Sequence, residues 1–347
     1  MASPTDLATA HQTARRRVTS AATVRALRLW RQMNPTELDR SWDALAPALV
    51  SQVTLAQVAA ANQATSYMRG VSAHYGGAPA GAIVPEAFGG VMLDGREVGP
   101  AMFGAVTTTK ALVGKGYTVP RALEVGASFL ATIVGAAVTD MGRQADNTAA
   151  TARHFTRYVR VLSPGACSRC AVLAGVGEYS KPYKRHPRCK CTSWPLLVDG
   201  EDNAVPEGMF ESSEAYFDSL SEAEQARVFT KSGAYAIRNG ADPISVVNAR
   251  RGYFGDAPVG TPPRRLRPLT IGRKADGSPL TVFATAEGTT ARGAFARAEG
   301  RATLSAAKQG RYRRTTTLRL MPEQIQHMAG NDPARARELL QRYGYMP

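Results

Sequence analysis

The sequence has no Gly-x-Gly-x-x-Gly following a strand-like run and no Gly-x4-Gly-Lys-Ser/Thr, so neither common phosphate-cradling loop is present and a nucleotide-dependent enzyme has no footing. Aromatic residues make up only 7% of 347, and neither an aromatic RNP box nor a helix-turn-helix pattern accompanies them. Base-specific reading of nucleic acid is therefore not expected. With only five histidines, a Ser/His/Asp combination drawn around His74 or His154 carries no information. The charge-free run Val125–Val138 stops at fourteen residues between Glu124 and Asp140, short of the ~20 that a bilayer helix needs. Its Gly and Ala content predicts a closely packed buried helix, and a membrane is not an expected partner. Residues Met1–Asp6 show no basic segment leading into an apolar run, so synthesis in a cytoplasm is the simplest expectation.

Acidic residues are also in deficit. There are 28 Asp and Glu against 43 Lys and Arg, a formal charge of +15. The excess is uneven: between Arg264 and Arg319 thirteen Lys/Arg face three Asp/Glu. A basic tract rich in Gly, Thr and Pro suits nonspecific contact with a polyanion such as DNA, or alternatively a solvated tail.

Cysteine is scarce and concentrated. All four cysteines lie within 25 residues, as Cys167-x2-Cys170, a spacer of fifteen, and His186-x2-Cys189-x-Cys191. Five soft donors are offered where a tetrahedral ion takes four, and zinc is the first expectation. Pro164, Gly165 and Pro187 supply turns beside the pairs. On an extended strand Cys189 and Cys191 would point to opposite faces, so one of the two is expected to be a spectator. The expected set is Cys167, Cys170 and Cys189, with His186 or Cys191 as the fourth. Four ligands leave no open position for water, and the zinc would be a structural staple. A metal-free thiol knuckle and paired disulfides are the alternatives, the latter disfavoured by a reducing compartment.

Local patterning predicts an α+β chain that is mainly α. The N-terminal region, 1–75, reads as helical: a basic amphipathic helix over about 5–31, then a helix capped by Asn34 with Pro35 at its first position. Leu38, Trp42, Leu45, Leu49 and Val53 form its buried stripe, with Pro47 predicted to kink it. Residues 76–100 form a Gly/Pro-rich loop. A helix is expected near Ala101–Leu112, then a long central helix from Val119 to about Arg157. The alternating segment Arg157–Leu162 predicts a strand that enters a small cysteine-bearing β knuckle, closed by a strand around Trp194–Val198. A helical extension covers 199–255, with a Ser221-x-x-Glu224 capping signal and a short helix near Ile244–Arg251 stopped by Gly252. Residues 256–320 read as basic, linker-like and partly extended, and 321–347 as a C-terminal helix opened by Asp332-Pro333 and stopped by Gly344.

The order helix, strand, Cys167-x2-Cys170, linker, His186-Pro187-Arg188-Cys189-Lys190-Cys191 and Trp194-Pro195 resembles the MuF-like domain of tailed-phage minor capsid proteins over about Ala101–Val198. Tyr216-Phe217, Leu220–Gln225, Val246–Gly252 and Arg319–Ile325 are similar to the continuation in actinobacterial phage versions. The resemblance implies a virion protein of low copy number at the portal or inner capsid surface, acting in head assembly and DNA packaging or ejection. Portal protein, major capsid or scaffold protein and packaged DNA would be its partners, with no small-molecule substrate. Some relatives are fused to proteases or ADP-ribosyltransferases. Here His186 with Cys189 makes a poor cysteine-protease pair because three further cysteines accompany it. Glu211 and Glu214 lack the Glu-x-Glu or Gln-x-Glu spacing of the transferases. The expectation is a non-enzymatic protein. The alternatives are a zinc-stapled, nonspecific nucleic-acid-binding protein of cellular origin and a capsid maturation protease fused to a MuF-like domain.

Overall fold

The computed structural model describes residues 2–77, 82–186, 189–197, 204–251, 269–289, 293, 295–296, 304–305, 314–315 and 317–346. The fold is mainly helical with small antiparallel sheets, an α+β arrangement as expected. Two compact units are present, 1–166 with 173–212 and 167–172 with 213–347.

In the first unit α1 spans Pro4–Trp30. Its start is fixed by a capping box: the Ser3 hydroxyl accepts from the Asp6 N–H, and the Asp6 carboxylate accepts from Ser3. The second helix, α2, spans Leu38–His74 and continues unbroken through Pro47. Asn34 does not cap it. The Asn34 side-chain oxygen instead accepts from the Thr36 N–H at 3.0 Å and the Thr36 hydroxyl at 2.9 Å, closing a turn before the helix. Residues 85–88 form a single 3-10 turn inside the predicted loop, and α3 (Val98–Val113) and α4 (Val119–Thr151) follow.

Helices α1 to α4 share one apolar core that includes Trp30, Leu49, Val53, Met102, Leu130 and Val134. Trp42 belongs to this core, edge-on to Phe103 at 5.7 Å. Gly126 lets the helices approach: a Cβ there would lie 2.2 Å from Thr109 Oγ1 and 2.7 Å from the Trp30 ring. By length and composition α2 and α4 could each cross a bilayer, but here they lie against each other and against α1.

A second core joins the ends of α2 and α4 to a three-stranded antiparallel sheet ordered β2-β1-β3. Strand β1 is Arg157–Val161, β2 Val176–Glu178 and β3 Thr192–Leu196, with Val159 opposite both Val176 and Trp194. Trp194 is fully buried; Tyr67 donates to the Ser193 carbonyl at 2.8 Å and Tyr75 to that of Pro195 at 3.0 Å. Pro195 is tolerated because β3 is an edge strand. The alternation that predicted β1 would leave Arg160 on a wet face, yet it is 3% exposed and its guanidinium lies 4.1 Å from the Tyr183 ring centre.

The second unit contains four short helices between Ser213 and Ala249. The predicted Ser221/Glu224 capping box opens Glu222–Phe229, and Asp242 caps Pro243–Ala249. Gly252 lies outside the described residues. The segment read as linker-like contains a hairpin, Leu269–Arg273 with Pro279–Val282, turned around Asp276-Gly277. Arg319, counted in the basic tract, is buried rather than presented to a polyanion. Its guanidinium donates to the carbonyls of Tyr343, Glu287 and Gly344 at 2.9 to 3.0 Å and packs 4.0 Å from the Tyr345 ring centre. Helices Pro322–Ala329 and Pro333–Arg342 complete a core with Leu339, Leu340 and Tyr345, and Asp332 and Gly344 cap and stop the last one as predicted.

Candidate metal centre

The cysteines sit on turns. Cys167 precedes the single helical turn Ser168–Ala171, which carries Cys170 back toward it, the Cys170 N–H donating to the Cys167 carbonyl at 2.9 Å. His186 opens the second turn, its carbonyl accepting from the Cys189 N–H at 3.1 Å. All four cysteines are thiols; Cys167 is exposed and the other three are buried.

Two donor triads result: Cys167, Cys170 and His186, and Cys170, Cys189 and Cys191, with the ligating atoms of each triad within 4.8 Å of one another. Both are close enough to bind a metal ion. Each of the five predicted residues falls in one triad or the other and Cys170 is common to both, whereas Cys167 and Cys189, expected in one set, lie in different triads. Cys189 and Cys191 fall in the same triad; β3 begins only at Thr192, so the two do not lie on an assigned strand. The alternation rule therefore does not apply to them.

The shape of that segment comes from α4. Arg143, 7% exposed, donates from Nε to the Cys191 carbonyl at 3.1 Å and from Nη2 to the Cys189 carbonyl. Its Nη1 pairs with Asp140 at 2.9 Å, and the other Asp140 oxygen takes Arg185 at 2.5 Å. Burial pushes the Asp140 carboxyl up, opposed by Arg143 and Arg185. Arg160 of β1 donates to the Lys184 carbonyl, and its charge senses Cys191 and Cys189. A groove of about 440 Å³ along α1 and α4 passes Cys189, Lys190 and Cys191, giving the loop a route to solvent. Arg143 and Asp140 carry no motif; the available signal was two opposite charges three apart beside a run otherwise fit for burial.

Further along α4, Asp146 is 1% exposed and meets both α1 residues His11 and Arg15. Arg15 binds it through two parallel bonds of 3.1 and 3.0 Å, and His11 Nε2 is 3.1 Å from both carboxylate oxygens. Gly142 makes the room, since a Cβ there would lie 2.7 Å from the Arg15 guanidinium. Burial works against the Asp146 charge, but Arg15 and His11 outweigh it and lower its pKa to about 2. Burial, first among the causes, lowers that of His11, which stacks on Tyr67 at 4.0 Å.

Both folded-state pKa values are depressed, so the unfolded chain takes up more protons as pH falls. Stability from His11 is lost as pH drops below its unfolded value of about 6.5. That from Asp146 is lost between about 4 and 2. Denaturant melts from pH 7 to 3 should show two successive losses of stability, and His11→Gln should remove the upper one. A flat profile between pH 7 and 5 in the native protein would contradict the buried neutral imidazole.

No protein-family profile, curated protein or solved structure matches this chain.

Proposed function

We propose that the chain is a minor capsid protein of the MuF type, a non-enzymatic component acting at the portal or inner capsid in head assembly and DNA packaging or ejection, stapled by one zinc. The observation that carries the reading is the convergence of Cys167, Cys170, His186, Cys189 and Cys191, in the motif order that resembles that domain. Thiolate and imidazole donors suit zinc, and a fully protein-ligated ion serves folding rather than catalysis. Cys170 is the donor common to both triads. The ion would lock turns that have little core of their own. The protein would reside inside the capsid, and in the host cytoplasm during assembly.

Tailed particles encoded by the same genome should contain this chain at a few copies each by quantitative mass spectrometry. Particles assembled without it should lose most of their infectivity. Absence from purified particles, with infectivity unaffected by its loss, would overturn the assignment. The charge of +15 supports a second reading as a zinc-stapled, nonspecific nucleic-acid-binding protein. Neighbouring portal, terminase and major capsid genes separate the two.

A further inference from the structure

A Cys-x-Cys pair converges only if the intervening backbone bends, and here one side chain holds that bend. Arg143 reaches the carbonyls on both sides of Lys190 with two donors of a single planar guanidinium, while its remaining terminal nitrogen is held by Asp140. An ammonium group lacks this fork and cannot hold both carbonyls in the same fixed relation. Charge points the same way. A divalent ion with three or four thiolates carries net negative charge, and burying that charge uncompensated is costly. Among the described residues, the guanidiniums of Arg143, Arg160 and Arg185 stand around the segment, with the carboxylate of Asp140 between Arg143 and Arg185.

We propose that Arg143 is a positioning residue for the metal centre, converging Cys189 and Cys191 and, with Arg160 and Arg185, offsetting the negative charge of bound thiolates. This rests on the metal reading above. Outer partners of metal ligands are commonly worth about 10–100-fold in affinity.

The test is titration of the full-length protein with Co2+, followed by its ligand-field and thiolate charge-transfer absorption, then displacement by Zn2+. Arg143→Lys keeps the charge and loses the fork. It should bind cobalt about 10–100-fold more weakly, with absorption shifted toward fewer thiolate ligands. Its far-ultraviolet circular dichroism should match the native protein. Wild-type affinity and spectrum in this variant would overturn the proposal. Should Arg143→Lys fail to fold, Arg185→Gln decides, its side chain being 30% exposed and paired with Asp140. Weaker binding by several-fold with an unchanged spectrum supports the charge role, and unchanged affinity overturns it. A native protein that binds no cobalt refutes the metal reading itself, an outcome visible before any variant is made.

Discussion

Native protein refolded with zinc is expected to hold about one ion per chain, and Cys170→Ser to lose nearly all of it. Cys170 is the donor shared by both triads, so its removal leaves Cys167 with His186 on one side and Cys189 with Cys191 on the other. Cys167→Ser and Cys191→Ser each remove one donor from a single triad, and each should retain more metal than Cys170→Ser. Elemental analysis with a competitive chelator orders the three variants. The turns around Cys167 and Cys189 should become sensitive to protease in Cys170→Ser while the helices remain folded, because the helical core does not depend on the thiols. Equal metal content in Cys170→Ser and Cys167→Ser would refute the shared role.

The second large effect lies at Asp146. Removing one member of a buried ion pair strands the other, a loss of about 3–5 kcal/mol. Asp146→Ala leaves the Arg15 guanidinium without its carboxylate, and Arg15 is 6% exposed on a helix that also supplies Trp30 to the main core. The melting temperature should fall by roughly 10 °C, given about 2–4 °C per kcal/mol for a unit of this size. Asp146→Asn keeps the shape and one acceptor and should lose less. A shift under about 2 °C for Asp146→Ala would show that Arg15 finds solvent once released.

Much of the helical framework was legible because its signals are local. Ser221 with Glu224, Asp332 with Pro333 and the apolar stripe from Leu38 to Val53 depend only on neighbours in sequence. Asn34 was misread because an Asx turn and a helix cap use the same side-chain oxygen and differ only in where the backbone goes next. The Ser3 box went unread because Asp6 stands where a capping box usually has Glu or Gln. The hairpin around Asp276-Gly277 was hidden because its strands are short and exposed, so the brief alternation of Leu269-Thr270-Ile271 and Leu280-Thr281-Val282 does not stand out within a basic tract.

The five metal donors were visible as a cluster, but their grouping was not, since it depends on Arg143 bending the segment from 46 and 48 residues away. Arg160 is buried on the face of β1 that simple alternation leaves to solvent, because a planar cation over Tyr183 can be covered there. Charges inside a helix look the same in sequence whether they face water or a partner carboxylate.

Arg15 and Asp146 are 131 residues apart. At roughly 5–20 residues per second of ribosomal synthesis, Arg15 is made roughly 7–26 s before its carboxylate. Over that interval the nascent chain carries an amphipathic helix with an unanswered arginine and no closed core, and its contacts of high sequence separation form late. Production of this protein should therefore be governed by what shields the first helix during translation, and slowing synthesis alone would prolong its exposure.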